Sequence, residues 1–232
     1  PTVSYNETIE RNTNVKTVTR VTNFTLNDIQ VFEPNVSPKG DVVVFPLYKF
    51  DPKLPQNGYS NIYSAKIGGT ALTKVTTGGE NENYRQLDLY PHFNPSGEDI
   101  YFSSDRNSDN SRLWRVKSLG AGGIVLIGTP NSRAADISPT PLKDEDEIVF
   151  ASLLEGVEWP QIWKIKSNGT LPTQLREGES PDINLLNNNI VFIRENRNIV
   201  LAETILKHTK RIYHPYQNYT MTSEGLNETH LT

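Results

Sequence analysis

No cysteine occurs among the 232 residues, which excludes disulfide staples, thiolate metal sites and cysteine nucleophiles together and is compatible with an exported protein that holds its fold without cross-links. Histidine is nearly as scarce, with only His92, His208, His214 and His230. Neither an H-E-x-x-H zinc motif, a G-x-S-x-G nucleophile elbow nor a Gly-rich phosphate loop is present, so no residue is nominated as catalytic. The 23 Lys and Arg are scattered against 27 Asp and Glu, for a net charge of −4. Without a basic patch, nucleic acid and anionic membranes are poor partners. No stretch approaches the roughly 20 apolar residues of a membrane-spanning helix. The opening Pro-Thr-Val is that of a processed mature chain or a trimmed one.

What the chain does have is 15 Gly, 15 Pro and 10 Tyr in an Asn- and Thr-rich background, a composition that suits strands and turns better than helices. It also repeats itself, which decides the fold class. Four times an approach strand meets a polar turn and then a short apolar strand ending in Phe: EPNVSPKGDVVVF at 33–45, YPHFNPSGEDIYF at 90–102, ADISPTPLKDEDEIVF at 135–150 and SPDINLLNNNIVF at 180–192. The terminal residues are Phe45, Phe102, Phe150 and Phe192. Each Phe is followed by a polar loop and an alternating strand: NIYSAK at 61–66, RLWRVK at 112–117, QIWKIK at 161–166 and NIVLAE at 198–203. A small turn then leads to a fourth strand at 71–76, 124–128, 173–175 and 210–214.

Each unit is thus a four-stranded antiparallel meander. Such a sheet cannot bury both apolar faces alone, so the units stack around an axis as blades of a β-propeller. The expected blades are 31–77, 89–128, 134–177 and 180–215, with 1–30 and 216–232 as terminal strands. The terminal strands either close a five-bladed ring or extend a propeller of six or more blades. The loops at 46–60, 103–111 and 151–160 crowd one side of the disc.

The second unit, PHFNPSGEDIYFSSDRNSDNSRLWRV, resembles the TolB-like (WD40-like) propeller repeat, with its P-x-F-S-P-D-G turn, I-x-F-x-S-D-R strand and I-(Y/W)-x-(V/M) strand. Unit one departs from it with SPKG and FPLYKF, unit three inserts KDEDE, and unit four has lost the Ser-Pro pair. The resemblance implies an all-β propeller in an extracytoplasmic setting, periplasmic, secreted or on the cell surface, with a protein-binding role.

Aligning the first strands gives one polar column, Asn35, His92, Asp136 and Asp182, each followed by an apolar residue. Beside a central channel these oxygens and the imidazole are candidates for holding a cation or small polar ligand, or for bonding backbone and water between blades. Asp105, Asn107 and Asp109 resemble the start of a calcium loop, although the Gly at position six and the Glu at position twelve are missing; Ca²⁺ is the one cofactor this string would take. The run Asp144, Glu145, Asp146 and Glu147 reads as a solvated, edge-guarding turn. Trp114 and Trp163 occupy equivalent third-strand positions, which argues for packing between blades. Trp159 stands apart in a variable loop as a candidate interface anchor. Six N-x-[ST] sequons, at Asn6, Asn23, Asn35, Asn168, Asn218 and Asn227, are glycosylation candidates.

The leading expectation for function is a non-catalytic binding or scaffold module that presents propeller loops to a protein or glycan. The alternatives are self-assembly, as a subunit of an extracellular filament or surface layer, and a propeller lyase or glycosidase using Asp136 and Asp182.

Overall fold

The computed structural model describes residues 29–53, 58–68, 72–79, 86–106, 108, 110–118, 120, 122–128, 135–144, 146–184, 187–195, 216–221 and 229–230. Every regular element among them is a β-strand, and the strands form four antiparallel sheets. The first holds β1 (Ile29–Val31), β2 (Asn35–Val36), β3 (Val42–Phe50), β4 (Gly58–Lys66) and β5 (Leu72–Lys74). The second holds β6 (Asp88–Phe93), β7 (Asp99–Ser104), β8 (Arg112–Lys117) and β9 (Val125–Gly128). The third holds β10 (Ala135–Pro141), β11 (Glu147–Leu153), β12 (Gln161–Lys166) and β13 (Thr173–Glu177). The fourth holds β14 (Glu179–Asn184), β15 (Asn189–Glu195), β16 (Tyr216–Met221) and β17 (Thr229–His230).

The second strands carry the packing. Side chains alternate across a strand, so Ile100 and Phe102 of β7 turn to one face and meet Val44, Ile62 and Val75 of the first unit. Tyr101 turns to the other, where with Leu113 and Ile127 it meets Ile148, Phe150 and Ile165. Val149 and Ala151 then face Ile190 and Phe192. Each of Phe102, Phe150 and Phe192 is therefore sealed against the preceding sheet, and all three are fully buried. Phe45 sits with Val43, Leu47 and Ala65 on the face of the first sheet turned away from the second.

Backbone register places an aromatic opposite each of these Phe residues: Phe45 pairs with Tyr63, Phe102 with Trp114, Phe150 with Trp163 and Phe192 with Tyr219. This corrects the sequence expectation for the fourth unit. Its third and fourth strands are Tyr216–Met221 and Thr229–His230, paired in order after β15, so these stretches complete the fourth sheet instead of serving as terminal closing strands. NIVLAE offers no aromatic at the matching place. The stretches 198–203 and 210–214, and 1–28, which terminal closure would need, lie outside the described residues. A second correction concerns 46–60, which is mostly strand: β3 and β4 pair from Val42–Lys66 out to Phe50–Gly58. A Cβ at Gly58 would collide with the Tyr48 ring and the Lys49 carbonyl, so glycine is needed where this long hairpin closes.

The innermost strands share an irregularity. Glu33, Tyr90, Ser138 and Ser180 all have positive φ, between 49° and 54°, and each precedes a proline, Pro34, Pro91, Pro139 or Pro181. In β6, β10 and β14 the pairing register slips at this point, and in the first sheet the break separates β1 from β2. Proline, with no N–H to lose, is tolerated at bulges and sheet edges. The bulge re-aims the side chain that follows it.

Two positions before the bulge stands Asp88, buried in the second sheet. Its carboxylate accepts from Arg106 Nη2 and Ser104 Oγ, both at 2.6 Å, from Gln86 Nε2 at 3.2 Å and from Thr76 Oγ1. Its carbonyl accepts from Ser60 Oγ at 2.8 Å, so one residue ties the second sheet to the first and to the segment between them. Burial pushes the Asp88 carboxyl up, while the Arg106 guanidinium and the Ser104 and Thr76 hydroxyls pull against that rise. Arg106 also lies over the Phe102 and Trp114 rings, at 5.4 and 5.5 Å. Removing one partner of a buried pair strands the other charge. Arg106→Ala is accordingly expected to lower stability by about 3–5 kcal/mol in urea denaturation. The double variant Asp88→Asn/Arg106→Met, which leaves no buried charge, is expected to lose less.

Candidate functional site

The bulges fix which residues are equivalent, and they split the polar column expected from sequence. The residue after the proline is Asn35, His92, Thr140 or Asp182; Asp136 instead shares the position of Asp88. Like Asp88 with Ser104, Asp136 accepts from a second-strand serine, Ser152 Oγ, at 2.6 Å, and it is fully buried within the third sheet. The alignment by a following apolar residue counted Ile137 as the match. The proline was the better marker, because it defines the backbone step.

The remaining members of the column join sheets to each other. Asn35 Oδ1 accepts from the Phe93 N–H at 3.0 Å, and Thr140 Oγ1 donates to the Pro181 carbonyl at 2.9 Å. His92 Nε2 lies 3.6 Å from Asp182 Oδ1, linking the second sheet to the fourth. His92 Nδ1 is 2.8 Å from the Phe93 carbonyl; a carbonyl only accepts, so Nδ1 carries a hydrogen and Nε2 carries one toward Asp182 only in the imidazolium. Asp182 also accepts from the Ile183 N–H at 2.8 Å. Alongside, Glu33 accepts from the Tyr90 N–H at 3.1 Å, and burial raises the Glu33 carboxyl.

Asp105 does not stand open for a cation: its Oδ1 accepts from the Leu87 N–H at 2.6 Å, and the side chain is buried. Asn107 and Asp109 lie outside the described residues. Among the described residues no group of three or more His, Asp or Glu is gathered for a metal. The acidic turn is partnered: Lys166 pairs with Asp146 and Glu147, and Lys164 with Glu147 at 3.1 Å. Of the sequons, Asn168 is exposed at a turn, where its Oδ1 accepts from the Thr170 N–H and hydroxyl. Asn35 is committed to Phe93, Asn218 lies within β16, and Asn6, Asn23 and Asn227 fall outside the described residues.

Trp159 lines a cleft of about 190 Å³ between the third and fourth sheets. The loop that carries it is held by its own carbonyls: Trp159 O accepts from Gln161 Nε2 at 3.1 Å, and Pro160 O from the Gly178 N–H at 2.9 Å. Gln161 is held in turn by Gln174 Nε2 at 2.8 Å. The cleft opens where the repeat changes. Three residues before the bulge proline stand Asp88, Asp136 and then Gly178, and two after the packed Phe stand Ser104, Ser152 and then Arg194. The Asp–Ser pair that fills this corner in the second and third sheets is thus Gly178–Arg194 in the fourth, and both line the cleft. A Cβ at Gly178 would lie 2.5 Å from the Phe192 ring, so no larger residue fits without moving the core. Glu158, Glu177 and Glu179 complete the polar wall.

A second cleft, of about 720 Å³, lies on the opposite side of the disc between the first two sheets. Three lysines line it, Lys39, Lys66 and Lys117; Lys117 is matched by Asp99 at 3.1 Å and Glu98 at 3.9 Å. Sequence reading found neither cleft; only Trp159 pointed to one of them.

The neighbouring His92 imidazole holds the Asp182 carboxyl below the ordinary carboxylate range. A depressed carboxyl stabilises the fold above its unfolded value of about 4, and that contribution is lost as pH falls through the depressed folded value. The difference in Tm between the chain and its Asp182→Asn variant is expected to be larger just above about pH 4 than in stronger acid, where it vanishes.

No protein-family model matches this chain, and no curated protein matches it in sequence. Solved structures do match in fold. TolB from Acinetobacter baumannii superposes with a TM-score of 0.59 at 16% identity, covering 86% of this chain and 42% of that one. An oligogalacturonate lyase from Vibrio parahaemolyticus gives a TM-score of 0.58 at 11% identity, covering 89% and 55%. The β-propeller domain of the trilobed protease from Pyrococcus furiosus, described as having an open velcro topology, gives 0.51 at 14% identity, covering 88% and 57%. The chain spans from 42% to 57% of the length of these three. The packed antiparallel sheets and these likenesses agree: the fold is a β-propeller, similar to that of TolB.

Proposed function

We propose that this chain is a non-catalytic, extracytoplasmic binding module, and that it receives its partner, a protein or glycan, at the cleft between the third and fourth sheets. The observation that carries this reading is Trp159, half-buried in the wall of the cleft, with the Trp159 carbonyl held by Gln161 at the start of β12 and the Pro160 carbonyl by Gly178 between β13 and β14. A large aromatic whose backbone is already fixed loses little further entropy on binding and makes an effective anchor. The TolB-like resemblance supports the extracytoplasmic setting.

Burial favours binding over hydrolysis at the two carboxylates named from sequence. Asp136 is sealed inside its sheet against Ser152, whereas Asp182 is largely exposed beside His92. A glycosidase needs two carboxyls flanking one substrate bond. The solved structures of similar fold include lyases and peptidases as well as TolB, so fold by itself does not choose among these functions.

The test is a paired screen of the chain and its Trp159→Ala variant on immobilised glycans and peptides. Probes retained by the chain are expected to lose at least about 2 kcal/mol of binding in the variant, with its denaturation midpoint little changed. Equal retention by both proteins would contradict the assignment of the site.

A further inference from the structure

We infer that Asn168 is an N-glycosylation acceptor and that the sugar it takes guards the outer edge of the third sheet; with the reading above this shares only the extracytoplasmic setting, not the Trp159 cleft. Six sequons occur in the chain, and the fold treats them differently. Asn35 commits its Oδ1 to the Phe93 N–H, and the hydroxyl of its sequon, Ser37 Oγ, donates to Asp41 and accepts from the Asp41 and Val42 N–H groups. Asn218 lies inside β16, its backbone paired with Ile193. At Asn168 both the asparagine and the hydroxyl residue of the sequon, Thr170, are exposed.

The turn holds the acceptor amide by its oxygen. Thr170 donates to Asn168 Oδ1 through its N–H at 3.1 Å and its hydroxyl at 2.7 Å, while Asn168 Nδ2 has no hydrogen-bond partner among the described residues. The backbone around it is fixed: Gly169 N–H donates to the Lys166 carbonyl at 2.8 Å, Lys166 N–H to the Thr170 carbonyl at 2.9 Å and Ser167 N–H to the Asp146 carbonyl at 2.7 Å. Gly169 has a φ of 83°, and a Cβ there would collide with the Ile127 carbonyl. The middle residue of the sequon must therefore be glycine, and the turn is seated against the second sheet. The modification is one displacement. A bond forms between Asn168 Nδ2 and C1 of a lipid-pyrophosphate-linked oligosaccharide, the C1–O bond to the carrier breaks, the lipid pyrophosphate leaves, and Nδ2 gives up a proton.

The place of the turn says what the sugar would do. Asn168 and Trp159 lie beyond opposite ends of β12, a strand of six residues and so about 20 Å long, which leaves the cleft open to its partner. What the turn does adjoin is an edge. Leu171, 72% exposed, directly follows the sequon, and β13, the outermost strand of the third sheet, begins two residues later with Thr173 and Gln174 exposed. An open strand edge beside an exposed apolar side chain invites pairing with another chain. A bulky, hydrated sugar at the entrance to that strand blocks the approach.

The experiment secretes the chain from a eukaryotic host with a flexible tail that carries one Asn-Gly-Thr sequon as an internal control, and maps glycans by peptide mass spectrometry before and after enzymatic removal of N-glycans. The tryptic peptide 167–176 is expected to carry a glycan in most copies. Thr170→Ser is expected to keep it, and Thr170→Ala and Asn168→Gln to lose it. In light scattering, the onset of self-association is expected to shift to lower concentration in Asn168→Gln. A glycosylated tail beside a bare Asn168 would overturn the acceptor site. A glycan at Asn168 whose loss leaves that onset unchanged would overturn the guarding role. Neither result bears on the Trp159 screen.

Discussion

The structure depends on the phenylalanine inside each second strand, which its own sheet cannot cover. Phe102, Phe150 and Phe192 are each buried only because the preceding sheet lies against them. Full burial of such a side chain is worth about 1.5–3 kcal/mol, but the benefit exists only between units. The sheets must therefore stack in chain order, and every other feature sits in the wedges that this stacking leaves at the edges of the disc.

Stacking aligns the large apolar faces, and a second, polar set of contacts fixes their offset. The bulges just before the prolines swing Asn35, His92, Thr140 and Asp182 into range of other inner strands, while Asp88 collects donors from the first sheet, the second sheet and the segment between. A residue in left-handed conformation without glycine's freedom costs of order 1–3 kcal/mol, and the same step recurs four times. Its recurrence is understandable if the inter-sheet bonds that follow it compensate for that cost.

Much of the fold was legible from sequence, because its determinants are local and repeated. The Phe column, the strands Arg112–Lys117 and Gln161–Lys166, and the packing of Trp114 and Trp163 follow from period-two alternation and spacing alone. Unit four misled, since NIVLAE has strand alternation but no aromatic for the position whose backbone pairs with Phe192; Tyr219 holds that position across a longer insertion. Asp136 was misaligned because apolar neighbours are common and prolines are not. Trp159 was visible as an anomaly, but its cleft was not, for a cleft is made by what is missing. The informative mark was the replacement of Asp by Gly178 at a repeat position, and its meaning depends on how close Phe192 lies, which no local pattern states.

The central claim is that the fourth sheet, seated on the third through Phe192, builds the Trp159 cleft in advance of any partner. The Gly178 amide reports on this directly, since its hydrogen bond to the Pro160 carbonyl joins the segment between the sheets to the loop that carries Trp159. Native-state hydrogen exchange followed by NMR is the measurement. Exchange of Gly178 as slow as that of the Phe192 core amides would mean that the cleft opens only when the sheets part. Exchange at the rate of a free loop, with the core still protected, would show that the cleft is not preformed and would contradict the account.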